Sequence, residues 1–236
     1  MSSRHEEHIV GGGKIRNIIL GLNDGLISTF TLLVGVAAAT LASTGSNSIV
    51  ILTGFAAMVS GAISMGLGEY ISSKSEYNYI KNELKKERAE LELFPEEEKE
   101  EVKEIFENMG FKGETLNACV DTITSNKKVW LNFLTKSELG LEEPENPVIG
   151  AILTFLSFVF GSFLTLFAYF FNLDLLSLVL SSIISFTMLF IVGMVKTRIT
   201  GEKKIRSGFE MLVIGVVAFI VSYGIGTLLE TLITGI

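Results

Sequence analysis

VIGAILTFLSFVFGSFLTLFAYFF, residues 148–171, carries no charged side chain in 24 consecutive positions. A helix needs about 20 apolar residues to cross the hydrocarbon core of a bilayer, so this stretch predicts a transmembrane helix. Four others read the same way: Ile15–Ala42, Ile49–Ile71, Leu173–Val195 and Met211–Ile233. Mean hydropathy over the 236 residues is +0.49. The predicted class is an all-α membrane protein of five transmembrane helices, with a helical insert between the second and third.

The charges show where the insert lies. Of 45 acidic and basic residues, 29 fall between Lys74 and Pro147. The expected divisions are 1–73, 74–147 and 148–236, with the polar middle part in the cytosol. All 19 Lys and Arg lie before the first span or at its very start (Arg16), in the insert, or between the fourth and fifth spans. The positive-inside rule then predicts a cytosolic N-terminus and insert, and a C-terminus outside. One cysteine excludes a disulfide framework and a Cys-rich metal site. A net charge of −7 excludes a basic nucleic-acid binder, leaving lipid as the first partner.

The spans carry two kinds of signal. Gly21 and Gly25, and Gly54, Gly61 and Gly68 at seven-residue intervals, are small-residue stripes that let helix backbones approach in lipid. Asp24 and Glu69 are acids inside spans, and an ionised carboxylate in hydrocarbon costs roughly 3 kcal/mol. No Lys or Arg is available at the depth of Asp24, so a proton or a cation must compensate it. Met58, Met65 and Glu69 share one face of the second span. A thioether beside a carboxylate suits a divalent transition metal. Glu210 and Glu230 flank the fifth span and are expected to snorkel to the two interfaces.

The insert reads as helices over Tyr77–Glu92, Glu96–Met109, Glu114–Ser125 and Lys128–Leu141. The inward stripe of the first is Tyr77, Ile80, Leu84, Glu87 and Leu91; that of the second is Glu98, Val102, Ile105 and Met109. Glu87 and Glu98 thus occupy positions that the pattern reserves for apolar side chains. Glu90 and Glu101 follow three residues later. If the two helices pack antiparallel, four carboxylates converge, and only protons or cations among them relieve the repulsion. Glu138 is a fifth candidate. No histidine follows His8, which excludes a Glu-x-x-His di-iron site and a His-based zinc hydrolase.

Asn23-Asp24-Gly25-Leu26, the segment from Ser60 to Tyr70 (SGAISMGLGEY) with Ser73-Lys74, and Glu138-Leu139-Gly140-Leu141-Glu142 together resemble the vacuolar iron transporter family. The likeness covers nearly the whole chain. It implies a homodimer that exports Fe²⁺, and also Mn²⁺ and other divalent metals, from the cytosol in exchange for protons. It implies no catalysis and no permanently bound cofactor. It places Asp24 and Met65 on the transport pathway, with Glu69 inside the matching motif. It makes Glu87, Glu90, Glu98, Glu101 and Glu138 metal ligands of the insert. Leu134 and Thr135 stand where members often carry methionines, which removes soft ligands. No targeting extension precedes the first span, so a prokaryotic plasma membrane is expected, with an organelle membrane as the alternative. The competing expectation is a membrane-anchored metal sensor without transport.

Overall fold

The structure is a computed structural model that describes residues 12–44, 47–137 and 146–234. The helices are α1 (Gly12–Thr44), α2 (Asn47–Leu93), α3 (Pro95–Asn108), α4 (Gly113–Thr124), α5 (Lys127–Ser137), α6 (Pro147–Leu166), α7 (Leu175–Thr200) and α8 (Lys204–Thr234). A 3₁₀ turn, Phe167–Phe171, extends α6. No strand occurs among the described residues. Among the described residues, five helices are long and apolar enough to cross a membrane: α1, α2, α6 with its 3₁₀ turn, α7 and α8. The expected all-α class and five spans are therefore present.

The chain divides into two compact units, residues 1–70 with 148–236, and residues 71–147. In the membrane unit α1 holds the centre. Phe30, Leu33, Val34 and Ala37 on α1 pack with Val50, Leu166, Tyr169 and Leu178. Leu26 joins Leu189, Val192 and Met211 in a second cluster. Glycines set the closest crossings. A methyl group on Gly21 would strike the Thr154 carbonyl, and one on Gly25 the Phe158 carbonyl, so α1 and α6 touch backbone to backbone. Gly226 of α8 meets the Gly35 carbonyl in the same way. Thr29 Oγ1 donates to Ser162 Oγ at 2.8 Å, and Ser162 Oγ donates to the Gly25 carbonyl at 3.2 Å. Hydroxyls thus add polar links to this tight seam.

Two element limits differ from the sequence expectation. The span expected from Leu173 begins at Leu175, because Asn172 and Asp174 adopt positive φ (51° and 48°) and break the chain. The span expected from Met211 begins at Lys204. Hydropathy marks where a helix turns apolar, not where its backbone hydrogen bonds start. Gly68 meets nothing within 4 Å, while Gly54 and Gly61 sit against Leu166 with Leu33 and against the Phe158 ring. Only part of the seven-residue stripe therefore packs inside the chain.

The second unit has its own core of Leu91, Val102, Leu116, Val120, Trp130 and Leu134. Pro95 opens α3, where its missing N–H leaves no bond unmade, and Glu96, Glu97 and Glu98 fill the first turn. Gly110 (φ 96°) and Gly113 (φ 62°) turn the chain into α4. Asn126 Oδ1 accepts from the Lys128 and Val129 amides and caps α5.

Candidate transport path and acidic insert

Glu69 is half-buried near the end of the apolar part of α2. Asn17 of α1 donates from Nδ2 to Glu69 Oε1 at 3.0 Å. Gly150 of α6 completes the contact: a Cβ there would lie 2.7 Å from Asn17 Nδ2 and 3.1 Å from Glu69 Oε1. Three spans therefore meet at one carboxylate. Sequence reasoning missed Asn17 and Gly150. The available signal was that Asn17 stands two helical turns before Asp24, on the same face of α1.

That face continues. Asn17, Asp24, Ser28, Thr31 and Gly35 follow one another at helical steps of seven, four, three and four. Asp24 is half-buried on it. About 10 Å of helix axis separates Asn17 from Asp24. Beyond Asp24, a groove of about 700 Å³ lies between α1 and α8; its lining is mostly apolar, with Leu32, Val36, Ile225 and Leu229, and includes Ser28, Thr31 and Glu230. Glu230, expected to snorkel, is half-buried in the wall of this groove, and Glu210 is exposed. Met58 is buried and Met65 half-buried on α2.

In the insert, Glu87 and Glu98 are 4% and 5% exposed, on the helix faces that carry Leu91 and Val102 into the core. Their partners three residues on do not follow them. Glu90 is exposed and Glu101 half-buried. Each lies about 60° round the helix from the acid before it, on the side away from the centre of the stripe, and so turns toward water. Among the described residues, no three His, Cys, Asp or Glu side chains stand close enough to hold a metal ion. Glu87 and Glu98 are thus buried, while Glu90 and Glu101 stand further toward solvent. Met109, expected on the inward stripe, is 58% exposed, since α3 ends at Asn108 and Gly110 turns the chain away. Glu138 lies outside the described residues. Leu134 is fully buried in the insert core, and the Thr135 hydroxyl donates to the Leu131 carbonyl at 2.6 Å. Both departures from the methionine pattern thus serve packing and helix structure.

Comparison with known proteins identifies the family. The sequence profile of the VIT family matches residues 15–227. Vacuolar iron transporter 1 of Arabidopsis thaliana is 37% identical over 216 residues, covering 90% of this chain and 85% of the relative. Vacuolar iron transporter 1 of Oryza sativa subsp. japonica is 33% identical over 229 residues, covering 96% and 89%. Protein CCC1 of Saccharomyces cerevisiae is 36% identical over 217 residues, covering 86% and 65%. A match from the first span into the last, with the two plant relatives alike over 85% and 89% of their length, means that this integral membrane chain belongs to the VIT family, a family of transporters rather than enzymes.

Proposed function

We propose that the protein carries ferrous iron out of the cytosol in exchange for protons, and that Mn²⁺, Zn²⁺ and Co²⁺ can replace Fe²⁺. The observation that carries this reading is the polar face of α1. It carries Asn17, Asp24, Ser28 and Thr31 from the Glu69 contact to a mostly apolar groove between α1 and α8, in whose wall Glu230 also stands. An anchoring helix has no use for such a face, because each polar group raises the cost of insertion. The relatives named as vacuolar iron transporters support iron as the substrate. Asp24, Met65 and Glu69 act on the pathway. Glu87, Glu90, Glu98, Glu101 and Glu138 gather cations in the insert. Carboxylates that release protons to bind metal, and regain them from the far side, couple the two flows.

The N-terminus and insert face the cytosol, where the basic residues lie. The C-terminus faces the other side. The vacuolar relatives favour an organelle membrane over the prokaryotic plasma membrane as its location. The working unit is a homodimer. Its second copy covers apolar side chains such as Leu32, Val217 and Ile220, which this chain leaves exposed.

The test is Fe²⁺ uptake into proteoliposomes under an imposed pH gradient. Wild type should show uptake that collapses with the gradient, and Asp24→Asn should lose roughly tenfold or more of the rate. Metal binding without flux in wild type would instead match a membrane-anchored sensor.

A further inference from the structure

Asn17 is 4% exposed, and its hydrogen bonding is lopsided. Its Nδ2 donates to Glu69 Oε1 at 3.0 Å, while its own Oδ1 is buried and receives no hydrogen bond. An amide oxygen left in this state is destabilising. A leucine would fill a similar volume without that burden. The neighbouring helix also makes room for this side chain, since any Cβ at Gly150 would press on both Asn17 Nδ2 and Glu69 Oε1.

We propose that Asn17 and Glu69 form an inner binding station for a divalent cation, in which the amide exchanges its nitrogen for its oxygen. Without a cation, Nδ2 donates to the carboxylate. With a cation on Glu69, a half-turn about the terminal side-chain bond brings Oδ1 onto the same ion. That bond joins sp³ and sp² atoms, so its torsion is broad and roughly two-fold. Asparagine can do both jobs, because it carries donors and an acceptor on one carbon. An aspartate offers only acceptors and adds a charge; a leucine offers neither. Carbonyl and carboxylate oxygens suit hydrated divalent ions that are giving up water. The proposal rests on the reading of Glu69 as a pathway residue. The bland alternative is a clip between α1 and α2 that never touches the ion.

The experiment measures initial Fe²⁺ uptake against Fe²⁺ concentration, using the full chain in proteoliposomes and normalising rates to folded protein. Asn17→Leu should raise KM about 10- to 100-fold, the usual effect of losing a group that supports a metal ligand, with Vmax within about threefold. Asn17→Asp keeps an oxygen and should hold KM at or below the wild-type value. A clip predicts the reverse order, because aspartate loses the donor and sets two carboxylates together. Wild-type KM in Asn17→Leu, or equal rises in both variants, overturns the proposal. If Asn17→Leu fails to fold, Asn17→Ala, which only removes atoms, carries the same expectation. Glu69→Gln separates the two levels. A raised KM there with an unaffected Asn17→Leu rejects the role of Asn17 alone, whereas a wild-type KM there removes Glu69 from the pathway and the station with it.

Discussion

Glu87 and Glu98 sit on core-facing helix positions that a purely structural design would give to leucine. Replacing a buried ionisable group with a well-packed apolar one is often neutral or stabilising. A structural role and a ligand role therefore predict different outcomes for one variant. The double substitution Glu87→Leu with Glu98→Leu should leave thermal stability of the detergent-solubilised chain unchanged or raised. Its Fe²⁺ affinity by calorimetry should fall at least about tenfold, the scale of losing supporting groups at a metal site. Equal affinity in the double variant would mean that these carboxylates do not bind metal. The heptad pattern picked out both acids, because a charged residue at an apolar position stands out by contrast. It did not separate Glu90 and Glu101 from them, although each lies about 60° round the helix from the acid it follows, because the pattern holds no measure of how far each helix rotates.

Between helices, the deciding quantity is how closely backbones approach. Gly25 faces the Phe158 carbonyl and has no space for a methyl group, while Gly68 faces open space. Alanine at position 25 should destabilise the folded chain by about 1–3 kcal/mol, the usual range for overpacking a filled interface. Alanine at position 68 should leave stability unchanged or slightly raised, because alanine favours helix over glycine. Thermal unfolding of the two variants in one detergent makes the comparison; equal losses would contradict the α1–α6 crossing described here. The small-residue spacing was legible in the sequence, but the partner of each glycine was not. Gly54, Gly61 and Gly68 look equivalent by period, yet only the first two meet a neighbour within the chain. Helix ends were hidden for a related reason. Charged residues such as Lys204 and Arg206 are good helix formers, so α8 starts ahead of its apolar stretch.

For the molecule as a whole, span number and charge distribution were readable directly, because bilayer thickness imposes a length on each apolar run. The Asn17–Glu69 contact was not. It joins residues 52 apart in sequence, and periodicity carries no information across that gap. Orientation can be tested with the chain's own chemistry. Cys119, half-buried on α4, is the single cysteine, so it reports on the insert without any substitution. Between it and the exposed Leu173 there is one membrane-spanning segment, α6 with its 3₁₀ turn. An odd number of crossings places the two positions on opposite faces. A membrane-impermeant maleimide applied from outside to sealed, right-side-out vesicles should leave wild type unlabelled, and should label it once the vesicles are permeabilised. The variant Leu173→Cys in a Cys119→Ser background should be labelled from outside without permeabilisation. Labelling of both from the same face would contradict a single crossing between them. Labelling of Cys119 from outside, with Leu173→Cys protected, would keep five spans but invert the molecule. The positive-inside argument predicts against that inversion, because 11 Lys and Arg lie between Lys74 and Lys136 and none between Pro147 and Val195.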